Sequence, residues 1–142
     1  MTLLEIVKPI IKQVYRDKPV IGELALVQAI LESNLIRQPS RLAVEGKNLF
    51  GIKGRGTDGI IRLVTKEYIN KKWLNEYQDF VKNKSYEDSV IQHRNLMNRP
   101  RYVKVWESKD FLTASVEIWK AGYATDPNYP YLLQKVHHAF VE

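Results

Sequence analysis

Five glycines fall within residues 45–59: Gly46, Gly51, Gly54, Gly56 and Gly59. So dense a run reads as loop and tight turn, and it divides two kinds of pattern. Before it, apolar residues recur at helical spacing. Leu3, Ile6, Val7, Ile10, Ile11 and Val14 make one such series, with Pro9 expected to break or kink a helix there. Past Pro19, a second helix is predicted from Val20 to Leu35, with Leu24, Val27, Leu31 and Leu35 on its core face. After the glycines, "IIRLVTKEYIN" and "KWLNEYQDFV" are rich in β-branched and aromatic residues, the signal of two or three short antiparallel strands. The helical period returns at Ser85, where Tyr86, Val90, His93 and Met97 share a face. A further helix is predicted from Asp110 to Ala121 with Gly122 as its C-cap. A last one opens at Asp126-Pro127 and runs to about Phe140. Helices, a small β insertion and helices again describe an α+β domain with its sheet set apart.

The chain has 142 residues, the size of one domain with a core of its own. It has no cysteine, which excludes disulfides, thiolate nucleophiles and Cys-based zinc sites. No apolar run approaches the ~20 residues of a membrane span. The opening "MTLLEIVKPIIKQVY" lacks a basic leader and a small-residue cleavage site, and Glu5 and Lys8 interrupt it. No secretory signal is therefore expected. The net charge of +6 favours an anionic partner: nucleic acid, a membrane surface or an acidic cell-wall polymer.

Two carboxylates stand out as chemistry. Glu32 lies near the end of an apolar helix, in line with the small residues Ala25 and Ala29 and with Gln28, which would let something bulky approach it. A helix-borne acid partly desolvated by Leu31, Leu35 and the following loop has a raised pKa and suits proton donation to a glycosidic oxygen. The plain alternative is a solvated helix-end glutamate. Glu67 shares a strand face with Thr65 and Ile69, and its plain alternative is an exposed strand residue.

Other groups read as structural. His93 sits on an apolar helix face as a core histidine. The adjacent His137 and His138 point different ways and cannot chelate together, so no metal is implied. "GRGTDG" lacks the Gly-Lys-Ser/Thr of a phosphate loop. "RNLMNRPRYVKVW" mixes basic and aromatic residues and suits either single-stranded nucleic acid or an anionic wall polymer.

Three segments recur together: "NLFGIKG" (Asn48 to Gly54), "VTKEY" (Val64 to Tyr68) and "AGYATDPNY" (Ala121 to Tyr129). With Ala29-Ile30-Leu31-Glu32-Ser33 before them, they resemble the peptidoglycan-cleaving N-acetylglucosaminidases of glycoside hydrolase family 73, which include the flagellar rod-cap hydrolase domain and several autolysins. The resemblance runs from about Ile21 to Phe140. It implies a lysozyme-like, mainly helical domain over residues 1–142 with a small antiparallel β-lobe at about 49–81. It implies hydrolysis of the GlcNAc-β-1,4-MurNAc bond with Glu32 as general acid. Glu67 would stand across the cleft as base toward water or as stabiliser of the developing cation. Tyr123 would line the site near the acetamido group, while Asn48, Phe50 and Tyr129 would contact or shape the sugar site. The family follows Glu-Ser with an aromatic residue and a glycine, whereas this chain has Asn34, Leu35 and Ile36.

The expected partner is peptidoglycan, bound by a monomer without cofactor, metal or nucleic acid. Rival readings are a muramidase cutting the other β-1,4 linkage, a catalytically silent wall-binding part of a phage particle, and a small basic nucleic-acid binder. With no signal peptide and no wall-binding repeat, the expected setting is a phage lysin. It would wait in the host cytoplasm until released to the wall, or ride in the virion. A domain of a secreted protein is the alternative.

Overall fold

The computed structural model describes residues 1–141, the side chain of Glu67 excepted. Its elements are α1 (Leu3–Val14), α2 (Pro19–Ser33), α3 (Arg41–Glu45), β1 (Ile60–Ile69), β2 (Lys72–Val81), α4 (Tyr86–Met97), a 3₁₀ turn at Pro100–Tyr102, α5 (Val103–Trp106), α6 (Phe111–Lys120) and α7 (Tyr129–Phe140). The α+β outline is as the sequence predicts.

Local chemistry sets most helix ends. Thr2 and Glu5 form a capping box that opens α1. Ser85 and Asp110 accept backbone N–H bonds at the starts of α4 and α6. Two boundaries differ from expectation. α1 runs through Pro9, because burial of Val7 and Ile11 against its neighbours outweighs one missing N–H. α7 begins at Tyr129 rather than at Pro127. The Asp126 carboxylate and carbonyl accept from the N–H groups of Asn128 and Tyr129, which holds that stretch as a turn.

α2 is the axis of the molecule. Every residue from Leu24 to Ile30 is buried, and α1, α6 and α7 all pack on it. One core face was expected, yet a helix apolar all round is buried all round. The row of Ala25, Gln28 and Ala29 is therefore filled by neighbouring elements, and the space its small residues leave is closed.

The β region is a hairpin of two antiparallel strands, within the two or three expected, though each is longer than expected. β1 and β2 pair antiparallel over ten positions each, from Ile60 opposite Val81 to Ile69 opposite Lys72. Asn70 and Lys71 make the turn with φ of 52° and 63°, the two left-handed residues of a type I′ turn. The base is anchored: Val81 N–H bonds Ile52 at 3.0 Å, and Gly54 N–H bonds Asp79 at 3.0 Å. The outer part stands free, with Val64, Tyr68, Trp73 and Tyr77 all exposed.

Candidate active site

Glu32 belongs to the last turn of α2, which ends abruptly. Asn34 takes the left-handed conformation at φ 53°, a position where glycine is usual and asparagine is tolerated. Leu35 N–H reaches back to the Ile30 carbonyl, and the Ser33 hydroxyl donates to the Leu49 carbonyl at 2.7 Å. Asn34 thus makes the turn that ends α2, and the helix end is locked to the loop that follows.

At this end opens a cleft of about 1040 Å³. Leu31, Glu32, Phe50, Phe80, Tyr123 and Tyr129 are among the residues that line it. Solvent reaches Glu32 through the open side, while protein crowds it from behind. That crowding raises its pKa above the usual carboxylate range, and the negative end of the α2 dipole acts in the same direction. Leu31 borders the acid as expected, but Leu35 lies in the core, and the tyrosines of the α6–α7 connection take its place. No described side chain hydrogen-bonds Glu32, so its proton is available to a ligand.

Tyr123 and Tyr129 face each other with ring centroids 6.1 Å apart, and Tyr102 meets Tyr123 edge-on at 6.3 Å. Burial pushes both Tyr123 and Tyr129 upward, and the Glu32 charge adds to it in each case. All three groups therefore lie within electrostatic reach of one another. Phe50 forms part of the floor and is nearly buried.

Asn48 requires a correction. It was expected at the sugar site, but it is fully buried. Its amide donates to the carbonyls of Ile52 at 2.8 Å and Val81 at 3.0 Å. Its oxygen accepts from the N–H groups of Phe50 and Ile52. With all four valences used, Asn48 pins the cleft loop to the hairpin base and does not face the cleft. Glu67 lies in β1 opposite Leu74; its side chain is outside those described.

The sequence and the fold have counterparts elsewhere. The glucosaminidase family model, described as mannosyl-glycoprotein endo-beta-N-acetylglucosaminidase, matches residues 8–140. This chain belongs to the glucosaminidase family. The probable N-acetylmuramidase of Lactococcus lactis strain IL1403 is 36% identical over 121 residues, covering 78% of this chain and 27% of that protein. The exo-glucosaminidase LytG of Bacillus subtilis strain 168 is 31% identical over 121 residues, covering 81% of this chain and 42% of LytG. The chain thus spans about a quarter of the first relative's length and about two fifths of the second's. The catalytic domain of the autolysin Auto from Listeria monocytogenes superposes with a TM-score of 0.82 at 26% identity, over 96% of this chain and 81% of that one. The fold is lysozyme-like, as the resemblance implied.

In this glucosaminidase-family domain the structure adds cleft residues that sequence reading passed over as sites. Lys53, Arg101 and Asp126 also line the cleft. Arg101 donates to the Ala121 carbonyl at 2.6 Å and the Gly122 carbonyl at 3.2 Å. Gly122 has φ 84°, and a β-carbon there would stand 2.5 Å from the Arg101 guanidinium. Arg101 and Gly122 together set the path of the Tyr123 loop. The only hint in the sequence was the basic stretch containing Arg101. Much of that stretch is used internally. Arg94 forms a two-pronged pair with Asp17 at 2.7 and 2.9 Å and lies over the rings of Tyr15 and Trp106. Among the described residues no His, Asp, Glu group could hold a metal, and no helix is long and apolar enough to cross a membrane.

Proposed function

We propose that this domain hydrolyses the peptidoglycan glycan strand at the GlcNAc-β-1,4-MurNAc bond, with Glu32 as general acid. One observation carries the reading: the carboxyl with a raised pKa and no hydrogen-bond partner among the described residues stands in an open cleft walled by tyrosines, in a chain of the glucosaminidase family. Such an acid keeps its proton to a higher pH than an ordinary glutamate does. It gives that proton to the bridging oxygen as the bond to the sugar C1 breaks. Water then attacks C1, loses its proton and leaves a hydroxyl there.

Glu67 is proposed as the group that takes the proton of that water. Its support is its match to the β-lobe acid of the family and its position on β1, which pairs with the strand whose base bonds the cleft loop. Tyr123 is proposed to steady the acetamido group beside C1, supported by its place in the cleft within reach of Glu32. Phe50 and Tyr129 offer ring faces and edges to the sugar. Lys53 and Arg101 on the cleft rim suit the carboxylates that peptidoglycan carries and a neutral glycan lacks.

A second reading is a muramidase cutting the alternate linkage, favoured by the name of the Lactococcus relative. Mass spectrometry of borohydride-reduced fragments from purified sacculi separates the two. Reduced GlcNAc ends are expected; reduced MurNAc ends would establish the muramidase. Intact sacculi after digestion would overturn both.

A further inference from the structure

Behind the cleft runs a buried chain of polar groups. Gln28 and His93 are fully buried, and Tyr15 is 1% exposed. The Tyr15 hydroxyl is 2.7 Å from His93 Nδ1, and His93 Nε2 is 2.7 Å from Gln28 Oε1. Gln28 Nε2 donates to the Tyr129 hydroxyl at 3.1 Å. The chain crosses from the end of α1 through α4 and α2 to the first residue of α7. Phe50 lies against His93 with ring centroids 4.3 Å apart, which covers the imidazole from the cleft side.

The inner end sets the direction of every proton. Among the described residues the Tyr15 hydroxyl has His93 as its single hydrogen-bond partner. If His93 donated from Nδ1, the Tyr15 proton would be buried with no acceptor. A buried donor left unpaired costs more than an unfilled lone pair on an oxygen that already bonds. Tyr15 therefore donates to Nδ1, and His93 carries its proton on Nε2. Burial keeps that imidazole neutral, with its pKa pushed down to about 3. Nε2–H donates to Gln28 Oε1, which turns the amide N–H toward Tyr129. The Tyr129 oxygen is then an acceptor on its inner side, and its own proton is left for the cleft.

We propose that Gln28, held by His93 and Tyr15, is a positioning residue that aims the Tyr129 hydroxyl proton into the cleft, as a donor to the sugar lying against Glu32. This rests on the glycosidase reading for its substrate, though not for the chain itself. The chain makes Tyr129 a donor of fixed direction. A free hydroxyl would divide its time between donating and accepting, and orientation set in advance is retained in the transition state at no further cost.

Two measurements test it. In protein labelled with ¹⁵N-histidine, the two-bond ¹H–¹⁵N spectrum of His93, identified by its Overhauser contacts with Phe50, should show the neutral Nε2–H form. An Nδ1–H form would overturn the proposal. Gln28→Met should lower kcat on glycan strands about 5- to 10-fold, the worth of one hydrogen bond, with little change in KM. In a Tyr129→Phe background the same change should cost nothing further. Additive losses would mean that Gln28 acts only on the fold, and would overturn it. If Gln28→Met does not fold, Tyr15→Phe replaces it. That variant should convert His93 to a mixture of tautomers and lower kcat only when Tyr129 is present; an unchanged tautomer would overturn the argument. A wild-type protein without glycan cleavage would refute the glycosidase reading, while the histidine spectrum would still judge the chain.

Discussion

Glu32 carries opposite consequences for activity and stability. Replacing it with glutamine keeps shape and removes the proton, so turnover should fall on the order of 10²- to 10⁴-fold with an unchanged circular dichroism spectrum. Its raised pKa also has a stability sign. A carboxyl whose pKa is higher folded than unfolded stabilises the fold fully below its unfolded value of about 4.3, and loses that contribution as pH rises through the folded value. Glu32→Gln should therefore melt higher than wild type near pH 7, and the difference should shrink toward pH 4. Equal melting curves at both pH values would show that the cleft does not penalise the ionised acid.

At the scale of elements, the loop and the hairpin depend on a single amide. Asn48 joins Phe50, Ile52 and Val81 through four hydrogen bonds. Asn48→Ala would leave several buried backbone groups unpaired, at a cost of about 2–4 kcal/mol, read from denaturant unfolding. A change below about 0.5 kcal/mol, the usual size for a neutral surface site, would contradict that role. The hairpin beyond its base is another matter. A two-stranded ribbon is marginal on its own, and this one is anchored near Ile52 and Gly54 while its outer aromatics face solvent. Glycan binding should close it over the cleft. Amide exchange in residues 62–79 should be fast without sugar and slow with it; unchanged exchange on saturation would mean a fixed wall.

Across the whole molecule, charge and one histidine govern the response to solution conditions. The net charge of +6 should draw the domain to an anionic wall. Exposed charges are screened beyond ~8 Å at physiological ionic strength, so digestion of whole walls should weaken as salt rises. Cleavage of short uncharged oligosaccharides should not, and equal salt dependence would remove electrostatic wall binding from the account. His93 sets an acid limit. Its pKa is pushed down to about 3 by burial and rises to about 6.5 on unfolding. Its contribution is complete above the unfolded value and lost as pH falls toward the folded one. Between those values stability should fall as pH falls, and His93→Gln should flatten that part of the stability–pH curve.

The local signals were legible because they act over a few residues. Glycines at 46–59 marked the loop, β-branched and aromatic residues marked the strands, and Ser85 and Asp110 marked helix starts. Glu32 at a helix end and His93 on an apolar face were visible for the same reason. Pro9 misled because tertiary burial outweighs one lost hydrogen bond, and the Asn48 environment was hidden because its partners at Ile52 and Val81 meet it only in the folded chain. The groups that meet Gln28 in the Ala25–Gln28–Ala29 row come from α4 and α7, far along the sequence. Gln28 joins His93 and Tyr129 across 65 and 101 positions. A residue's type states which hydrogen bonds it can make; which it does make, and which proton is left facing the cleft, depends on the groups that packing brings beside it.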